Sequence, residues 1–167
     1  FGPSVNRGRD IVWGRGVPSA GRPYLARAAE EHSGPHEPWF WQGTKNGGGA
    51  MNDMICHSLE ATRYLLTEPG EQKDSLKVIS VNAGINCLKW TRDKYADILK
   101  KNTGGQVDFK KSPVEDYSHA TVTYQLPNGE TAIAENSASW SFVGPGLKHT
   151  YELLGPEYYM CANGMDP

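Results

Sequence analysis

The chain has 167 residues, 38% of them hydrophobic and 22% charged, with a net charge of −2. That is enough for one compact core, expected over residues 1–167, and too little for two domains of ordinary size. The near-neutral balance, without a dense Lys/Arg stripe, argues against nucleic acid or an anionic membrane surface as partner, and no apolar run approaches the roughly 20 residues of a membrane-spanning helix.

The opening Phe1-Gly2-Pro3 is neither a signal peptide nor an initiator Met, and the chain closes on Met165-Asp166-Pro167, so it reads as a piece of something longer. Within the glycine- and proline-rich start, Ile11-Val12-Trp13 is the one apolar run, and it is expected as an edge strand. Tyr24 to Glu31 is expected to form a turn or two of helix. Ser33-Gly34-Pro35-His36-Glu37-Pro38 is a stiff loop, followed by the aromatic triplet Trp39-Phe40-Trp41 and the run Gly47-Gly48-Gly49.

Ala50 to Leu66 contains no Gly or Pro, and its apolar residues Met51, Met54, Ile55, Leu59, Leu65 and Leu66 recur at a helical period. Glu68-Pro69-Gly70 ends this helix. Leu76 to Ala83 alternates as a strand, and Thr91 to Asn102 is a second helix stopped by Gly104-Gly105. Ala120 to Leu126, the turn Pro127-Asn128-Gly129 and Thr131 to Trp140 form a hairpin. A strand from Leu147 to Leu154 is expected beside it, completing an antiparallel meander. The fold class is therefore α+β, a mostly antiparallel open-faced sheet with helices on one face. Thr, Ser, Asn and Ala crowd the outward face of that sheet, a surface suited to packing against a second subunit, so a homo-oligomer through the sheet face is expected. Cys56, Cys87 and Cys161 are odd in number and lack C-x-x-C spacing, which suits reduced thiols and a cytoplasmic setting.

Chemistry concentrates on the first helix. Asp53 and His57 are four residues apart, about 40° around a regular α-helix and one turn along it, and Glu60 and Tyr64 continue the stripe. A carboxylate near the positive end of the helix dipole accepts hydrogen bonds from hydroxyls, and an imidazole titrates near neutrality. Together they suit binding a hydroxyl and removing its proton. The bland alternative is a histidine bonded to Asp53 or to a backbone carbonyl. A metal reading needs a second ligand pair, which the sequence does not offer, and Cys56 points about 100° away from His57. Trp39 and Trp41 are candidate walls of a sugar site, since aromatic faces stack on pyranose rings, and equally candidates for the core. Lys45 and Asn46, just before the glycines, are candidate substrate contacts. His32, His36, His119 and His149 have no partner in sequence and are read as structural or solvated.

The segment from Gly47 to Leu66 (a glycine run, an acid, a histidine four positions on, then an apolar helix with Arg63 and paired leucines) resembles the signature helix of the glucose-fructose oxidoreductase, inositol dehydrogenase and rhizopine-catabolism (Gfo/Idh/MocA) family. Gly34 to Trp41 is similar to the aromatic stretch that precedes that helix, and Tyr151-Glu152-Leu153-Leu154-Gly155 to the family's C-terminal domain. The resemblance implies an oxidoreductase acting on a secondary alcohol of a sugar, cyclitol or polyol, with Asp53 binding the substrate hydroxyl and His57 transferring its proton. It implies NAD or NADP as cofactor, held mainly by an N-terminal Rossmann domain with a glycine fingerprint, and a Lys in a Glu-Lys-Pro motif. Neither is present in this chain, because Gly14-Arg15-Gly16 lacks the third glycine, so the isolated piece is expected to be inactive. The segment from Asp93 to Ser112 has no counterpart in that pattern. The alternative reading is a non-catalytic, homo-oligomerising binding module of the same fold.

Overall fold

The computed structural model describes residues 1–164; Met165-Asp166-Pro167 lie outside the described residues. Pro3 opens helix α1 (Pro3–Ile11), where its fixed φ suits the first helical position and its missing N–H costs nothing. The chain stays helical through a wider π turn at Val12–Gly16 and a short α2 (Val17–Ala20), until Gly21 turns it at φ 97°. Ile11-Val12-Trp13 is therefore helix and not the expected edge strand. The reason is that Val5, Arg9, Val12 and Trp13, at i, i+4, i+7 and i+8, form one buried stripe.

A second expectation also reverses: Leu25–Glu31 is strand β1. Its alanines favour helix, but Ala26, Ala28 and Glu30 are buried in strict alternation because the segment is inserted between two other strands. Tertiary pairing outweighs a propensity worth only tenths of a kcal/mol per residue. After the one-turn helix α3 (Gly43–Asn46) comes a π turn at Met51–Ile55, continued by α4 (Cys56–Leu66). Then follow β2 (Lys77–Asn86), α5 (Asp93–Asn102), β3 (Tyr117–Gln125), β4 (Thr131–Ser139), β5 (Lys148–Gly155) and β6 (Tyr158–Asn163).

The six strands form one sheet in the order β2-β3-β4-β1-β5-β6, antiparallel everywhere except between β1 and β4. The β3–β4 hairpin forms as expected, with Gly129 at φ 86° in its turn. The meander does not continue: β5 pairs with β1 and β6, and β1 separates it from β4. α4 crosses β1, β4 and β5 on one side of the sheet, so the α+β architecture with helices on one face stands.

Two apolar clusters fill the space beneath the helical layer. One joins Ala61, Leu65 and Leu66 of α4 to Ala26, Ala134 and Leu153 of the sheet. The other is aromatic: Trp41 packs edge-on against Trp90, Trp140 and Phe109, with ring centroids 4.9, 5.0 and 5.9 Å away. α1 braces the far end of α4, where Arg9 donates to the carbonyls of Tyr64 (2.9 Å) and Thr67 (2.6 Å) and the Trp13 indole donates to Leu65 (3.0 Å). These are carbonyls at the helix C-terminus, which otherwise lack partners.

Candidate functional site

The glycine run exists for a close approach. The Gly49 backbone lies so near Glu115 that a Cβ on it would sit 2.0 Å from the Glu115 carbonyl oxygen. That closeness lets the Glu115 carboxylate accept from the N–H groups of Gly49 (2.7 Å) and Met51 (3.2 Å), while its carbonyl accepts from Ala50 (2.9 Å). A distant side chain thus supplies acceptors that the first turn of a helix cannot find in itself. Downstream, Ser58 donates to the Ser137 carbonyl (3.0 Å) and Thr62 to the Asn136 amide oxygen (2.8 Å), which fixes the rotation of α4 on β4.

With that rotation set, His57 lies over β1 and β5. Its Nδ1 is 2.6 Å from Oε2 of Glu30, while its ring remains 59% exposed and the Glu30 side chain only 8%. His149, directly across from Glu30 in the β1–β5 register, brings Nε2 to 3.2 Å from the other carboxylate oxygen, off-axis for a hydrogen bond. Burial pushes the Glu30 carboxyl up, but the adjacent His149 and His57 outweigh it and hold the group below the ordinary carboxylate range.

Asp53 faces elsewhere. Its Oδ2 accepts from the indole N–H of Trp140 at 3.2 Å, and it lines a cavity of about 450 Å³ with His32, Gly34, His36, Phe40 and Leu147. His32 Nδ1 accepts from the Gly34 N–H (3.0 Å), which leaves Nε2 to carry the proton. Burial lowers the pKa of His32, with Asp53 partly opposing the effect. His57 opens into a different cavity, about 510 Å³, lined by Phe1, Cys56, Glu60, His149 and Tyr151. Asp53 lies within the wider π turn at Met51–Ile55 and His57 in the α-helix that follows, so the 40° offset of a regular helix does not apply.

The remaining sequence candidates are spread out. Trp39 is 43% exposed and stacked on Phe40, whereas Trp41 is 2% exposed, a core residue whose indole donates to the Pro35 carbonyl. Lys45 is exposed on α3, and the half-buried Asn46 is tied to its own loop through Gly48 and Asn52. Glu60 is engaged by Arg63 and Lys73, and Tyr64 donates to Asn6. Cys56, Cys87 and Cys161 are free thiols. Among the described residues no group of three or more His, Cys, Asp or Glu side chains is placed to hold a metal ion. Sequence reasoning missed Glu30 entirely and read His149 and His32 as isolated. Only a strand reading of residues 25–31 would have placed Glu30 on the inner face.

The described residues do not fit a dinucleotide. The one parallel strand pair, β1 and β4, is separated in sequence by β2 and β3, and Gly14-Arg15-Gly16 lies within helix, not in a strand-to-helix turn.

Residues 19–157 match the family model of the GFO/IDH/MocA C-terminal domain. The chain belongs to the GFO/IDH/MocA family. No curated protein matches it in sequence. Among solved structures of similar fold is GenD2 from gentamicin A biosynthesis in complex with NAD, with a TM-score of 0.66 at 24% identity, covering 98% of this chain and 37% of that one. An oxidoreductase domain protein from Kribbella flavida has a TM-score of 0.60 at 15% identity, covering 96% and 39%. Levoglucosan dehydrogenase in complex with NADH and levoglucosan has a TM-score of 0.55 at 20% identity, covering 96% and 38%. This GFO/IDH/MocA chain thus spans well under half the length of those proteins. Among the described residues no helix is long and apolar enough to cross a membrane.

Proposed function

We infer that this chain is the substrate-binding part of a nicotinamide-dependent oxidoreductase acting on a secondary alcohol of a sugar, cyclitol or related polyol. The observation that carries the reading is the His57 imidazole. It stands at a cavity mouth with one nitrogen secured by a carboxylate and the rest of the ring exposed. An imidazole held this way accepts the hydroxyl proton of an alcohol as the carbon–oxygen bond becomes a carbonyl. Asp53, fixed by the Trp140 indole in the separate cavity, would accept hydrogen bonds from hydroxyls of a substrate that spans both cavities. Lys45, Asn46 and Trp39 complete the proposed substrate contacts, while Trp41, buried in the core, supports their loop from behind and does not itself reach the substrate. A nicotinamide cofactor, NAD or NADP, held mainly by a Rossmann domain outside this chain, would supply the hydride acceptor. The similarity in fold to structures holding NAD or NADH, one also with levoglucosan, supports this direction. The test is nicotinamide reduction by the full-length protein across a panel of sugars and cyclitols. His57→Ala is expected to abolish turnover while the fold is retained, and undiminished activity in that variant would remove His57 from the reaction.

A second reading, a homo-oligomerising module, is favoured by the open sheet face. Arg27, Thr121, Ser137 and Thr150 line a shallow concavity of about 430 Å³ there, and Arg27 pairs with Glu135 and Glu152 across three strands. The small side chains and the charges neutralised within the face suit contact with a second copy. In this reading the module is non-catalytic, so a full-length protein that self-associates yet turns over none of the panel would favour it over the first.

A further inference from the structure

Glu30 is an acid in the wrong place for a structural residue. It projects from the inner face of a central strand whose other inward residues, Ala26 and Ala28, are small and apolar. A buried carboxylate is costly unless paired, and a methyl-sized group would fill the alternation at no such cost. What Glu30 has instead is a histidine on each oxygen: His57 from the helical layer at 2.6 Å and His149 from the neighbouring strand at 3.2 Å.

The consequence is a choice of tautomer. Against a carboxylate, the His57 Nδ1 must carry a proton and donate it, so in the neutral ring the lone pair sits on Nε2. Among the described residues Nε2 makes no hydrogen bond, and the side chain that carries it is 59% exposed and lines the cavity. Among the described residues no other group near His57 sets the tautomer in this way. Asp53 is turned toward Trp140, Glu60 is taken by Arg63 and Lys73, and Cys56, Tyr151 and Phe1 line the cavity without a hydrogen bond to the ring. His32, which lies within electrostatic reach of Asp53 and Glu30, has its Nδ1 occupied by Gly34.

We propose that Glu30 is a positioning residue: its carboxylate fixes His57 as the Nδ1–H tautomer with the Nε2 lone pair facing the cavity, and His149 steadies the carboxylate from the adjacent strand. This rests on the reading of His57 as the proton acceptor. Without Glu30 the ring is free to turn over and to place its proton on either nitrogen.

The test uses full-length protein carrying ¹⁵N-labelled histidine, at about pH 8, where an ordinary imidazole is neutral. The wild-type His57 signals are expected to show a protonated Nδ1 and a bare Nε2. In Glu30→Gln the two tautomers are expected to mix, and kcat is expected to fall on the order of 10²-fold with KM nearly unchanged, as for a misoriented general base. Glu30→Asp should restore part of both. A wild-type His57 protonated on Nε2 overturns the proposal without any variant having to fold. So does a folded Glu30→Gln that keeps both the tautomer and kcat. If the tautomer is as expected but His57→Ala still turns over, the positioning stands and the proposed role of His57 falls instead.

Discussion

Trp140 donates its indole N–H to Oδ2 of Asp53 across 3.2 Å, joining the residue just after β4 to the helix start that carries the site. Trp140 is also completely buried, so packing and orientation can be separated by choice of substitution. Trp140→Phe keeps most of the packing and removes the donor. It is expected to lower stability by about 1 kcal/mol and to raise KM for the alcohol substrate while sparing the rest of the fold. Trp140→Ala is expected to cost about 3–5 kcal/mol, the range for emptying a large aromatic site. Urea unfolding and steady-state kinetics on the two variants check both.

The contact between Gly49 and Glu115 admits no side chain. Gly49→Ala places a methyl group against backbone, which cannot rotate away, and is expected to destabilise by about 1–3 kcal/mol. Glu115→Gln, which retains one acceptor oxygen for the N–H groups of Gly49 and Met51, is expected to cost less than Glu115→Ala. Thermal unfolding of the three variants gives the order; equal losses from both Glu115 changes would show that the carboxylate is not holding the helix start.

The Glu30 carboxyl sits below its ordinary range because the stabilisation by His149 and His57 exceeds the burial penalty. A carboxyl whose folded pKa lies below its unfolded value, about 4.3, adds stability that is complete above that value and is lost as the pH falls through the folded one. The stability difference between wild type and Glu30→Gln is therefore expected to be largest near pH 6 and to shrink progressively below about pH 4. Chemical denaturation across that range measures it, and a difference that is flat with pH would contradict the sign.

The open sheet face carries its own prediction. Thr121 lies on that face and not in the core, so Thr121→Arg adds bulk and charge without disturbing packing. The full-length protein is expected to sediment as an oligomer and the variant to shift toward monomer. A wild type that is strictly monomeric at micromolar concentration would remove this face as an interface.

The parts of the fold legible in the sequence are those held by local chemistry. Pro127-Asn128-Gly129 announces its hairpin, and the period of Met54, Ile55, Leu65 and Leu66 announces the helix they lie on. Residues 25–31 were illegible because alanine-rich strands arise only when neighbours on both sides supply the hydrogen bonds, and those neighbours lie more than 100 residues away in sequence. The candidate site divides the same way. Asp53 and His57 stand out because they are four residues apart on one helix, whereas Glu30 reaches His57 through strand register that no local pattern encodes. The π turn that holds Asp53 was equally hidden, since nothing in Met51–Ile55 departs from ordinary helical composition.

The insertion of β1 between β4 and β5 also governs how the protein is made. The strand emerges from the ribosome well ahead of both of its partners, the second ending only at Gly155. Until β4 has emerged β1 has no partner in the sheet, and until β5 follows its other edge stays bare. Assembly must await nearly the whole of this region, with the loop-closure entropy of more than 100 residues spent before the centre of the sheet is rewarded. Biogenesis of this fold is thus late and concerted, and the interval of an unfilled central slot is when a nascent chain is most exposed to capture by another strand.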